Sequence, residues 1–301
     1  MILFYYPPME RLAKKISEAT YGHIRLGKIF WDEFENGWPN YFIQDVDRDV
    51  RRKNVVLLAS AESPADLPKI LSVAYAFPRY FANSLKIILP LFPGELMERI
   101  RRHGEIATAK THARMFSATP SAKGPVEIIL YDLHVSAEQF FFSDQILPDR
   151  QSAMPLLKKE IKNMENVAIA FPDEGSYKRF DEDFKEYPLI LCYKQRRGVD
   201  RKVSIVEGDP WGKNVIVVDD LSLTAGTMVA CAKAMRSREA ESVSGFVTHG
   251  VFHNDSWMKI TPLLFDTFWV TDSYPTAIAL EGIAPFKILS LAEDLVRVLR
   301  S

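Results

Sequence analysis

The sharpest chemical feature of the chain is the run Asn214 to Thr227, NVIVVDDLSLTAGT, an apolar strand ending in two adjacent carboxylates, then a Thr-Ala-Gly-Thr turn opening a helix. Backbone N–H groups in the first turn of a helix have no preceding carbonyl to pair with, and the small residues Ala225 and Gly226 let a phosphate approach them closely. The hydroxyls of Thr224 and Thr227 add donors. Asp219 and Asp220, at the carboxyl end of the strand, can accept from two ribose hydroxyls or hold them through a divalent cation. One ligand, a sugar phosphate, satisfies both halves of the pattern. A helix N-cap with acidic residues near the positive end of the helix dipole also accounts for them.

Three further groups of polar residues follow apolar runs. Tyr131-Asp132-Leu133-His134 ends one strand, Phe171-Pro172-Asp173-Glu174-Gly175 ends another, and Lys194, Gln195 and Arg196 follow Leu189 to Tyr193. Each has a plain structural alternative. His134 can be a hydrogen-bonded structural residue, the Asp173 segment an acidic turn, and Lys194, Arg196, Arg197, Arg201 and Lys202 a solvated basic turn. His23, His103, His112 and His253 follow no ligand spacing, and His249 sits at a Thr-His-Gly-Val strand end.

The elements that must position these residues alternate along the chain. Short apolar runs at Asn54–Leu58, Leu85–Leu91, Val126–Tyr131, Asn166–Pro172, Leu189–Tyr193, Asn214–Asp220 and Val243–His249 are separated by helix-like stretches such as Met9–Ala19, Ile106–Phe116, Pro155–Lys162 and Thr224–Arg238. Several runs are apolar throughout, as in strands covered by helices on both faces, so the expected class is α/β with mainly parallel sheets. A length of 301 residues suits two cores. The polar, proline-containing stretch FSDQILPDRQS (142–152) places the boundary near the middle, giving domains 1–148 and 149–285. The last strand and helix, 286–301, can close either domain.

Composition limits the partners. Thirty-eight basic and 39 acidic side chains leave a net charge of −1, which offers no field for a nucleic-acid backbone. No apolar run approaches the ~20 residues that span a bilayer, so no membrane partner is expected. Cys192 and Cys231 are the only cysteines, too few for a disulfide framework, and a reducing, cytoplasmic compartment fits them.

The sugar-phosphate loop resembles the motif of type I phosphoribosyltransferases and of ribose-phosphate pyrophosphokinases, the synthetases of 5-phosphoribosyl-1-pyrophosphate (PRPP). Asp132-Leu133-His134 with Glu138–Phe142 (EQFFF) is similar to a segment of the synthetases alone, and the resemblance runs nearly end to end. It implies two similar phosphoribosyltransferase-like domains, each with a mainly parallel sheet flanked by helices. The implied substrates are ATP and ribose 5-phosphate, and the implied cofactor is Mg²⁺, held at Asp132, His134 and Asp173. Catalysis falls to Lys194, Arg196 and His134. ATP falls to Phe34, Asn36, Trp38, Arg99 and His134, and ribose 5-phosphate to Asp219, Asp220, Thr224, Ala225, Gly226 and Thr227. Nucleotide and sugar cradles are expected to face one cleft in a homo-oligomer, a dimer or a hexamer of dimers.

Segments such as Gly37-Trp38-Pro39-Asn40 and Trp269-Val270-Thr271-Asp272-Ser273 resemble the plant-type, phosphate-independent branch. Leu96 and Met97 stand where the phosphate-regulated branch has an Arg-Gln pair that grips ATP, Leu223 replaces a common aspartate, and Asn36 stands where an aspartate is usual. These departures imply weak phosphate dependence, little inhibition by ADP and tolerance of other nucleoside triphosphates. Two rivals remain at this point: a phosphoribosyltransferase that consumes PRPP, and a catalytically silent homologue that regulates an active synthetase.

Overall fold

The computed structural model describes the chain apart from residues 95, 96, 99, 101, 198, 199 and 301, and gives the backbone alone for 194–197 and 200–202. The chain divides into two compact units, Met1–Gln151 with Leu291–Ser301, and Ser152–Ser290.

In the first unit the elements run β1 (Ile2–Tyr5), α1 (Glu10–Ala19), β2 (Arg25–Leu26), β3 (Ile29–Glu33), β4 (Pro39–Ile43), α2 (Val46–Asp49), β5 (Asn54–Leu58), α3 (Asp66–Arg79), β6 (Ser84–Ile88), α4 (Thr108–Ser117), β7 (Val126–Tyr131) and β8 (Ile146–Gln151). Six strands form one sheet in the order β2-β1-β5-β6-β7-β8, parallel throughout. The central strands are aliphatic because helices cover both faces; Val55, Leu57, Ile87, Ile128 and Leu130 are fully buried or nearly so. β3 and β4 form a separate antiparallel hairpin.

The stretch 142–152, in which the domain boundary is expected, contains β8, whose Pro148 lies opposite Ile128. A proline is tolerated there because β8 is the edge strand.

The second unit runs α5 (Met154–Ile161), β9 (Val167–Phe171), α6 (Glu174–Phe180), β10 (Leu189–Arg197), β11 (Asp200–Glu207), β12 (Asn214–Ser222), α7 (Gly226–Arg236), β13 (Ser242–Gly250), β14 (Phe268–Thr271), α8 (Thr276–Leu280) and β15 (Phe286–Leu289). Its seven strands are ordered β11-β10-β9-β12-β13-β14-β15, parallel except for the β10–β11 hairpin. Gly245 of β13 lies against aromatic rings: a Cβ there would come within 2.6 Å of Phe268.

The final segment is shared between the units. β15 completes the second sheet, whereas α9 (Ala292–Arg300) packs on α1 of the first unit. Asp294 on α9 accepts a 2.6 Å bond from the buried Tyr131 hydroxyl at the end of β7.

Candidate active site

In the second unit, β9 and β12 are neighbouring parallel strands, so their carboxyl ends open at the same edge of the sheet. Asp173 follows β9, Asp219 and Asp220 lie near the end of β12, and the loop into α7 follows directly. This is where ligands of open α/β sheets bind.

The loop is held in shape from behind. Ser222 O accepts from the amides of Val251 and Phe252, both at 3.1 Å, and Leu223 O from the amide of His253 at 2.8 Å. Lys259 Nζ reaches Thr224 O at 3.2 Å. With its carbonyls engaged, the chain turns through Ala225, whose φ of +56° is left-handed and unusual for a residue with a Cβ. Val229 N then closes the first turn of α7 on Ala225 O at 3.0 Å. The opening amides of such a helix have no preceding carbonyl, and an anion seats on them. Thr224 is exposed and Gly226 and Thr227 are half-buried, so the loop is reachable from solvent.

The carboxylates beside it are crowded. Burial pushes the Asp219 carboxyl well above the usual range, and the negative charges of Asp220 and Asp173 add to the shift; Arg179 opposes it. Asp219 Oδ1 accepts from the amide of Asp220 at 3.0 Å. Asp220 is buried and forms an ion pair with Arg179 of α6. Asp173 caps α6, its Oδ1 accepting from Gly175 N at 2.9 Å and Ser176 N at 3.1 Å. The acidic turn read from the sequence is therefore an N-cap, and the cap holds the carboxylate at the strand end.

In the first unit, Asp132 directly follows β7 and adopts a left-handed φ of +36°. Asp132 is buried, His134 half-buried, and a short 3-10 turn over Ser136–Phe141 follows. Phe34, Asn36 and Trp38 occupy the tip of the β3–β4 hairpin, where both rings are largely exposed. Asn36 Oδ1 accepts from Trp38 N at 3.2 Å, and Gly37 supplies the positive φ that the turn needs.

Leu96 and Arg99 lie outside the described residues, and Met97 is exposed. Lys194 and Arg196, expected in a loop or turn, belong by backbone to the extended strand β10, opposite Val203 and Arg201 of β11; their side chains lie outside what is described. Arg179 was not found from the sequence, where it is one of many basic residues on a short helix. His249 is structural, fully buried, with Nδ1 2.9 Å from Ser273 Oγ.

Two α/β units with mainly parallel sheets, one carrying paired carboxylates and a reachable helix N-terminus at the carboxyl ends of its strands, have the architecture of an α/β enzyme. No protein-family model matches the chain. It is 41% identical to ribose-phosphate pyrophosphokinase 3, mitochondrial, of Spinacia oleracea over 99% of this chain and 76% of that protein. It is 40% identical to ribose-phosphate pyrophosphokinase 4 of Arabidopsis thaliana over 99% of this chain and 91% of that protein. The crystal structure of phosphoribosylpyrophosphate synthetase from Mycobacterium smegmatis has the same fold, with a TM-score of 0.85 at 23% identity over 99% of this chain and 97% of that one. The chain belongs to the ribose-phosphate pyrophosphokinase family.

Proposed function

We propose that the chain transfers the pyrophosphoryl group of ATP to the C1 hydroxyl of ribose 5-phosphate, giving PRPP and AMP. The observation that carries this is the end of β12, where carboxylates suited to ribose hydroxyls adjoin an anion-binding loop suited to a 5-phosphate. The phosphate sits on the turn Thr224–Thr227, and the carboxylate pair Asp219–Asp220 serves the ribose end. On the nucleotide side, Phe34 and Trp38 offer faces for adenine beside Asn36, while His134 and Arg99 serve the phosphates.

The C1 hydroxyl attacks the β-phosphorus in line and AMP departs without a covalent enzyme intermediate. Charge gathers on the non-bridging oxygens and on AMP, so Lys194 and Arg196 contribute electrostatically while the loop contributes positioning. Mg²⁺ is the cofactor of this proposal, with Asp132 and His134 serving one position and Asp173 a second. No group of three or more His, Cys, Asp or Glu able to hold a metal occurs among the described residues. Mg²⁺ commonly takes one or two carboxylates and completes its shell with substrate phosphates and water. Carboxylate donors suit it better than the His134 imidazole. When bound it neutralises charge on the β- and γ-phosphates.

A homo-oligomer, dimer or hexamer of dimers, belongs to the same proposal. No helix among the described residues is long and apolar enough to cross a membrane. A cytoplasmic location belongs to the same proposal, and cell fractionation checks it. Weak dependence on inorganic phosphate and little inhibition by ADP complete the proposal.

The experiment incubates the protein with Mg-ATP and ribose 5-phosphate and measures AMP and PRPP. Equimolar formation of both is expected. A phosphoribosyltransferase would instead require PRPP and a base and would release pyrophosphate, and a silent homologue would form nothing.

A further inference from the structure

Arg179 sits on the last turn of α6, the helix that Asp173 caps, and its guanidinium pairs with Asp220 of β12. The pair is enclosed: the Arg179 side chain is 14% exposed and that of Asp220 only 2%. The guanidinium also lies 5.5 Å from the centre of the Phe180 ring. The Asp219 and Asp220 carboxyls touch each other, and of the two it is Asp220 that is enclosed against Arg179. Asp219 keeps partial access to solvent, whereas Asp220 is buried against Arg179. Enclosing a carboxylate is costly without a counter-charge, and Arg179 supplies one.

The same pair ties two chemical elements together. One end of α6 carries Asp173 at the end of β9, and the other end grips β12 immediately before the sugar-phosphate loop. We infer that Arg179 is a positioning residue for the pyrophosphoryl acceptor: by holding Asp220 it fixes the end of β12, and with it Asp219 and the loop, in the geometry that receives ribose 5-phosphate. Asp220 is then the internal partner of Arg179, and Asp219 is the carboxylate of the pair that meets the ribose hydroxyls.

The inference rests on the proposed function and is tested by steady-state kinetics with varied ribose 5-phosphate at saturating Mg-ATP. Arg179→Met is expected to raise KM for ribose 5-phosphate about tenfold while kcat stays within about threefold, because lost ground-state binding appears in KM. Arg179→Lys keeps a charge within reach of Asp220 but loses the planar fork, and is expected to return KM to within about threefold of wild type. The double variant Arg179→Met/Asp220→Asn leaves neither charge unpaired and is expected within about twofold of Arg179→Met, since the two residues act as one unit.

Misfolding alone lowers the active fraction, hence apparent kcat, and leaves KM unchanged. An unchanged KM in Arg179→Met therefore overturns the inference, as do costs that add in the double variant. If Arg179→Met does not fold, Arg179→Gln carries the test, since it keeps a hydrogen-bond donor for Asp220 but no charge: a raised KM supports the inference and a wild-type KM overturns it. Wild-type protein without turnover overturns this inference and the proposed function together, whereas an active wild type with unchanged variants overturns the inference alone.

Discussion

Asp173 has two separable jobs, and two substitutions separate them. Its Oδ1 accepts from Gly175 N at 2.9 Å and Ser176 N at 3.1 Å, so removing the side chain leaves the start of α6 without its cap. Loss of such a cap costs about 1 kcal/mol, within a range of about 0.5 to 2. For a unit of this size that lowers the melting temperature by about 3 °C. Asparagine caps as well as aspartate, so Asp173→Asn keeps the two bonds. It also removes a negative charge that crowds Asp219. Asp173→Ala is therefore expected to melt about 3 °C below wild type and Asp173→Asn at or slightly above it. Both lose the carboxylate proposed to serve Mg²⁺, so both should need a several-fold higher Mg²⁺ concentration for half-maximal rate. Differential scanning calorimetry and a Mg²⁺ titration of AMP formation provide the two readouts. A wild-type Mg²⁺ dependence in Asp173→Asn would refute the metal role, and equal melting of the two variants would refute the capping role.

Other substitutions test separate parts of the account. Trp38→Ala removes an exposed ring at the hairpin tip, so stability should change by no more than about 0.5 kcal/mol, while KM for ATP rises several-fold and KM for ribose 5-phosphate does not. Asp219 holds its proton more tightly in the folded chain than in the unfolded one. Its contribution to stability is thus favourable at low pH and is lost as pH rises from the unfolded carboxyl value through the raised folded one. Urea denaturation across that window should show Asp219→Asn losing less stability with rising pH than wild type. Tyr131→Phe deletes a 2.6 Å bond to the Asp294 carboxylate and should cost about 1.5 to 3 kcal/mol by chemical denaturation, the usual range for a bond to a charged group.

Continuous apolar runs were the most legible part of the sequence. Asn54–Leu58 and Val126–Tyr131 are strands with the bounds expected from their residues, because burial on both faces leaves only one polar position in each, Asn54 and Glu127. The β10–β11 hairpin was not legible beyond Tyr193. Lys194 to Arg197 carry no apolar alternation, and the antiparallel ladder to β11 extends the strand through them. The amphipathic pattern of 292–300 announces a helix with one buried face but does not say which core receives it; α1 does. At the site, Asp173, Asp219, Asp220 and the turn after them were legible because strand-end carboxylates followed by small residues form a local pattern. Arg179 was not, because its partner lies 41 positions away and the pairing of β9 with β12 brings them together.

The central claim is met most directly by a single-turnover assay of wild type and Lys194→Ala with Mg-ATP and ribose 5-phosphate. Wild type is expected to release AMP only when ribose 5-phosphate is present, with one PRPP for each AMP, and the variant to be slower by about a hundredfold or more, the usual consequence of losing a transition-state charge contact. AMP formed without ribose 5-phosphate, or a variant as fast as wild type, would contradict it.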